Sequence, residues 1–369
     1  MKEKIIISVG HVCIDITPVI PAGISCTAPG ELLIPGKLIH VDAADVHTGG
    51  SVANTGLALK ILGNEVRLLG KIGKDAFGGM IKSIMAEFGA GGLIEDSSCD
   101  TSYSVVIAIP GIDRMFLHNP GANDTFRNSD IPDEALEGAA LFHFGYPTLM
   151  RSMYADGGEE LSGIFRRMKG KDIATGLDLS AVDTSSEAGR ADWESILKKT
   201  LPYVDFFVPS FEEICFMLDR PLYERLNAAG GDMAENPDIM AYAERLAVRA
   251  LSMGCRTVLI KCGVSGMYYK TGTAEVISGI GGRLELDTAL WADKSGIQPC
   301  FRAEVVRSAA GAGDAAIAAY LAGIARGFGP EKCAALAAAE GACCVTSYDT
   351  LSGLKDIEGL EKMISAQTL

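Results

Sequence analysis

Short apolar, strand-like runs that alternate with longer helix-like stretches constrain this chain most. The runs are Lys4 to Val9, Arg67 to Leu69, Leu141 to Phe144, Ile173 to Leu179, Phe206 to Val208 and Thr257 to Lys261, each followed by an amphipathic or alanine-rich segment. Strands joined through helices pair in parallel, because a crossover returns the chain to the same end of the sheet. The expected fold class is therefore α/β, a mostly parallel sheet flanked by helices on both faces. Ser102 to Ile109, turning at Pro110-Gly111-Ile112-Asp113 into Arg114 to His118, reads instead as a hairpin outside the alternation. With Cys13 to Val19 and Leu38 to Val46 it is expected to make a small β lid, inserted at about 12–46 and 100–122. The expectation is one domain over residues 1–369, since large α/β folds exceed the usual length per domain. Asp183 to Asp192 and Asp219 to Asp238 read as polar surface excursions, and Gly279 to Cys300 has no evident role.

The chain is 48% hydrophobic, enough for a large core, and carries a net charge of −14. That balance, with no cluster of Lys and Arg, argues against a nucleic-acid surface. No apolar run approaches the ~18 residues of a membrane span, so no membrane partner and a cytoplasmic location are expected. The ten cysteines are scattered without paired Cys-x-x-Cys spacing and read as reduced thiols. His11, His118 and His143 lack metal-ligand spacing and read as satisfied or solvent-exposed side chains.

Chemistry concentrates at Gly311-Ala312-Gly313-Asp314, entered from the strand-like Ala303 to Val306 and left through an alanine-rich stretch, Ala315 to Ala325. Glycines turn backbone N–H groups toward one point, and a helix N-terminus attracts anions. An Asp in the first turn there can take a proton from an incoming hydroxyl, which is a layout for phosphoryl transfer. Such an Asp is also often just a partner for the helix dipole. Gly311-x-Gly313-x-x-Ala316 satisfies a loose dinucleotide fingerprint as well, but the next segment, Glu331 to Val345, is helical, so the second half of that unit is missing.

A second glycine cluster lies upstream: Thr48-Gly49-Gly50-Ser51-Val52-Ala53-Asn54, followed by Gly70-Lys71-Ile72-Gly73-Lys74-Asp75-Ala76-Phe77-Gly78. Together with the Gly311–Asp314 run, these segments resemble the two signatures of the ribokinase/PfkB family of small-molecule kinases. The resemblance implies a ribokinase-like fold whose lid closes over the substrate. It also implies ATP and Mg²⁺ as cofactors, and Asp314 as the general base, with the N–H groups of Ala312, Gly313 and Asp314 holding the transferring group. The activity so implied is ATP-dependent phosphorylation of a hydroxyl, primary by preference, on a small carbohydrate. A nucleoside kinase of the same family and a catalytically degenerate sugar-binding regulator stay open as alternatives. The resemblance also admits a homodimer formed through the lid.

Further site residues follow from the same resemblance. Asp15, after the first strand, Gly49, Gly50 and Asn54 fall where the family binds substrate hydroxyls, although Asp15 alone reads as a solvated acid and Asn54 as a capping residue. Asn119-Pro120-Gly121-Ala122-Asn123 resembles a substrate-side element, with Asn119 and Asn123 as candidates, and is equally a good turn. Pro209-Ser210-Phe211-Glu212-Glu213 stands in place of an Asn-x-x-Glu motif. Ser210 replaces the Asn as a nucleotide-site residue, and Glu213 is expected to reach Mg²⁺ through water. Lys261-Cys262-Gly263-Val264-Ser265-Gly266 resembles the glycine turn beside the nucleotide phosphates, giving Lys261, Gly263 and Gly266 as nucleotide-site candidates. The usual Asp-Thr before the Gly311 loop is replaced by Ser308-Ala309, which puts a monovalent-cation site in doubt.

Overall fold

In the computed structural model, which describes residues 4–367 apart from Ala22, Ser25, Gly111 and Asp113, fourteen strands form among the described residues. In chain order these begin with β1 (Ile5–Gly10), β2 (Cys13–Pro18), β3 (Ala44–Gly49), β4 (Val66–Leu69), β5 (Lys71–Gly73), β6 (Ile94–Asp96) and β7 (Tyr103–Ile107). They continue with β8 (Met115–Asn119), β9 (Ala139–Gly145), β10 (Ala174–Leu177), β11 (Phe206–Phe207), β12 (Thr257–Lys261), β13 (Met267–Thr271) and β14 (Ser295–Gln298). The main sheet has eight strands in the order β14-β13-β12-β11-β10-β9-β1-β4. From β4 to β12 every pairing is parallel, and only β13 and β14 run antiparallel at one edge.

All six expected strand runs are present. β9 is buried along its whole length, as a central parallel strand must be when helices cover both faces. One apolar layer packs Phe142, Phe144 and Phe165 with the helix Ile239–Ser252; the other packs Phe206 and Trp291 with the helices Ala312–Ala325 and Pro330–Cys344. A separate four-stranded sheet, β3-β2-β7-β8, forms from the segments expected to make the lid. Its outer hairpin, β7 with β8, forms as expected, while Gly111 and Asp113 of the expected turn lie outside the described residues. No helix among the described residues is long and apolar enough to cross a membrane.

Four expectations are corrected. Ala303 to Val306 is not a strand: Val305 and Val306 are 54% and 70% exposed, and the segment has no ladder partner. Asp219 to Asp238 is not simply an excursion, because its first half is the helix Arg220–Ala229, which buries Leu222, Tyr223 and Leu226. Gly279 to Cys300 acquires a role: it supplies β14 and buries Trp291, whose indole N–H donates to Phe328 O at 3.0 Å. His11 and His143 are buried with neither ring nitrogen hydrogen-bonded, so they are not satisfied histidines.

Candidate active site

The carboxyl ends of β1, β9, β10, β11 and β12 all open on one edge of the parallel sheet, where open α/β sheets place their ligands. The helix Ala312–Ala325 begins at this edge. Its N-cap Gly311 has φ 73°, a left-handed conformation that disfavours any side chain, and a Cβ there would also stand 2.5 Å from Thr350 Cγ2. The Ala312 N–H, expected in the cradle, turns back toward Ala309 O at 3.4 Å. Gly313 and Asp314 keep N–H groups for which no acceptor is found among the described residues.

Asp314 is 3% exposed and accepts three hydrogen bonds, from Tyr146 Oη at 2.7 Å, Asn54 Nδ2 at 2.9 Å and Thr55 Oγ1 at 3.2 Å. Burial pushes its carboxyl above the ordinary range, and the Tyr146, Asn54 and Thr55 bonds with the nearby Lys261 charge pull it back down. Burial, then the Asp314 charge, pushes the Tyr146 phenol well up, so it remains a donor. Tyr146 itself sits at φ 63° and ψ 45°, a strained backbone of a kind held in place at functional sites.

Lys261, at the end of β12, donates from Nζ to Asp178 Oδ1 at 2.8 Å. A Cβ added to Gly313 would lie 3.8 Å from that Nζ, so the ammonium stands against the first turn of the Asp314 helix. Ser210 and Glu213 form a capping box on the helix Phe211–Leu218. Ser210 N–H donates to Glu213 Oε2 at 2.7 Å and Glu213 N–H to Ser210 Oγ at 3.3 Å, which leaves Glu213 Oε1 outside the cap. Gly263 and Gly266, at φ 53° and 98°, close the turn between β12 and β13.

On the lid side, Gly49 touches Asp15: a Cβ there would fall 2.1 Å from Asp15 Oδ2. Gly50, at φ 83°, packs on His11, whose ring lies 5.2 Å from His118 and 6.2 Å from Tyr146. Burial, then His118, pushes the His11 imidazole well down, so it is neutral. Asn54, expected on the substrate, instead spends its amide on Asp314 and accepts from Thr350 Oγ1 at 3.2 Å.

Asn123 is corrected: it is fully buried and consumed by backbone, donating to Val12 O and Pro120 O and accepting from Val12 N–H, so it anchors the start of β2. Asn119 Oδ1 accepts from Gly121 N–H at 3.2 Å, the turn reading of that element. Asp75 accepts from Gly78 N–H and from both Thr101 N–H and Oγ1, tying the helix Ala76–Glu87 to the lid base. Sequence reasoning missed Tyr146, Thr55, Thr350 and Asp178. Asp178 carried one signal, its position just past a parallel strand, as Asp15 lies past β1.

A buried carboxylate at a glycine-capped helix N-terminus, facing a fixed ammonium, is the layout of a small-molecule phosphotransferase. Residues 6–357 match the family model described as pfkB family carbohydrate kinase, and the chain belongs to that family. Fructokinase-1 of Oryza sativa subsp. japonica is 29% identical over 154 residues, a match covering 40% of this chain and 43% of the relative's length. The match thus spans less than half of that relative. Among solved structures, fructokinase with bound ATP from Xylella fastidiosa superposes with a TM-score of 0.72 at 21% identity, covering 100% of both chains. Ribokinase of Arabidopsis thaliana complexed with ribose and ATP gives 0.70 at 18% identity, covering 98% of this chain and 99% of the other.

Proposed function

We propose that this protein is an ATP- and Mg²⁺-dependent sugar kinase that phosphorylates a hydroxyl, primary by preference, of a small carbohydrate. One observation carries the reading: Asp314, buried under three hydrogen bonds, lies in the same helical turn as two open N–H groups and beside the Lys261 ammonium. The residues present fit the nucleotide and metal. Two N–H donors and one lysine suit phosphate oxygens, and Mg²⁺, which keeps most of its waters, needs few carboxylates, here Glu213 through its free oxygen. Bound Mg²⁺ supplies charge to offset the phosphates.

In the reaction the sugar oxygen forms a bond to the terminal phosphorus while its proton passes to the Asp314 carboxylate. The bond from that phosphorus to the ADP oxygen breaks, its electron pair staying on ADP. Gly313 and Asp314 N–H groups meet the charge that develops on the transferred oxygens. Asp15, packed against Gly49, accepts from sugar hydroxyls, and His11, packed against Gly50, contributes a neutral ring. The family resemblance and the separate lid sheet support lid closure over the sugar, a single domain with the lid inserted, and a lid-mediated homodimer in the cytoplasm.

The test is ATP consumption with Mg²⁺ across ketohexoses, pentoses, keto-sugar acids and nucleosides, with Asp314→Asn alongside. A sugar-dependent rate that falls about 10²–10⁴-fold in Asp314→Asn is expected, the usual contribution of a general base. Turnover of nucleosides alone, or saturable sugar binding without ATP consumption, overturns the proposal.

A further inference from the structure

Asp178 is a buried acid that the reaction above leaves without a task. It follows β10, is 2% exposed, and is pinned by its own backbone, its N–H donating to Phe144 O at 3.0 Å in the next strand. Its carboxylate reaches across β11 to β12, where Oδ1 accepts the Lys261 ammonium at 2.8 Å. Lys261 is itself 12% exposed, so both partners are withdrawn from water.

A lysine has a flexible four-carbon stem and loses much rotamer freedom when fixed. Left alone, it would place its charge anywhere within reach. Here the charge is held 3.8 Å from the point a Gly313 side chain would occupy, beside the N–H groups proposed for the transferring group.

The groups facing this pair are Glu213 from the helix Phe211–Leu218, Asp314 and Tyr146 from the base site, and His143 from β9. His143 is neutral, pushed down to about 3 by burial and then by Lys261. The surroundings are therefore acidic, and one fixed cation stands among carboxyl groups where an anion must enter. Burial pushes the Asp178 carboxyl up, Lys261 opposes it, and Glu213 and Asp314 reinforce it.

We propose that Asp178 is a positioning residue: it clamps the Lys261 ammonium against Gly313 so that its charge meets the phosphoryl group passing from ATP to the sugar. Asp178 touches no reacting atom and acts only through Lys261. The inference rests on the kinase reading.

A double-mutant cycle on the full chain tests it, with Asp178→Asn, Lys261→Met and the double variant. Turnover at saturating sugar and the MgATP dissociation constant by calorimetry are read for all four proteins. Each single variant is expected to lower kcat about 10–100-fold, the worth of a hydrogen bond to a charged group, with sugar KM little changed. In the Lys261→Met background, Asp178→Asn is expected to cost less than about twofold, because nothing is left to position. Equal losses in both backgrounds, or wild-type turnover and affinity in Asp178→Asn, overturn the proposal.

Thermal unfolding of each variant separates folding from function. If Asp178→Asn does not fold, Asp178→Ser with Lys261→Gln completes the same cycle. A wild type that binds MgATP but phosphorylates no sugar sinks the kinase reading alone, and the cycle in affinity still decides the clamp. A wild type that does not bind MgATP overturns both.

Discussion

Replacing Tyr146 by Phe removes one hydroxyl, the donor of the shortest of the three hydrogen bonds on Asp314, at 2.7 Å. A hydrogen bond to a charged acceptor is worth about 1.5–3 kcal/mol. One pKa unit corresponds to about 1.4 kcal/mol, so the Asp314 carboxyl should rise by roughly 1–2 units. The sign follows from the role. In the proposed role Asp314 accepts a proton as a carboxylate, so activity is expected above its pKa and is lost as pH falls through it. Burial already raises that pKa, and Tyr146 is the first of the interactions holding it down. In Tyr146→Phe the acid limb of the kcat profile therefore moves to higher pH by roughly 1–2 units. The plateau changes less, because the carboxylate that remains is the stronger base.

The assay is coupled ADP release at saturating ATP and sugar from about pH 5 to 9, above the ordinary carboxylate range and across that of histidine. The Phe ring keeps the side-chain volume and the backbone at φ 63°, so the packing contribution is nearly constant. A uniform loss at every pH, with the limb unmoved, would refute the reasoning. Tyr146 would then be a packing residue, and Asp314 would not be the ionisation seen in the profile.

Three other outcomes are expected. Gly49→Ala, whose Cβ would stand 2.1 Å from Asp15 Oδ2, should raise sugar KM about tenfold or more with ATP KM unchanged, as expected when a positioned polar contact is displaced; equal changes in both constants would place Asp15 away from the sugar. Potassium titrated against an organic cation at constant ionic strength should change turnover little, because Ser308 Oγ is already engaged by Ala310 N–H at 3.2 Å and Arg114 Nη1 at 3.3 Å; a large saturable activation would contradict this. Glu340, fully buried on the helix Pro330–Cys344, has its carboxyl pushed up to about 8 by burial, against the Lys355 N–H. The folded state thus holds a proton that the unfolded chain has released, and stability should fall as pH rises from about 4.5 to 8, by roughly 1.4 kcal/mol per unit at most. Glu340→Gln should flatten that fall in chemical denaturation, and an unchanged slope would place the loss elsewhere.

Local chemistry made much of this molecule legible. The six parallel strands are apolar enough to read directly, and the Gly311–Asp314 run joins its glycine cap and its acid in residues that lie side by side in the chain. Ala303 to Val306 deceived because two adjacent valines look like a strand in a segment that carries them on the surface. Asn123 shows a different failure: the motif was visible, but only the fold shows that its amide turns inward to Val12.

The contacts of Tyr146 with Asp314 and of Asp178 with Lys261 were invisible for a topological reason. Tyr146 meets an acid 168 residues away, and Asp178 a lysine 83 residues away. A sequence shows which residue ends a strand, not which strands become neighbours. Once β10, β11 and β12 lie side by side in parallel, the residues at their carboxyl ends share one edge. Strand spacing puts β10 and β12 roughly 10 Å apart, beyond the reach of two short side chains. A lysine on one strand and an aspartate on the other can close that gap. The long stem of Lys261 then serves both ends: it crosses the narrow β11 to reach Asp178, and it carries a cation to the helix that holds Asp314.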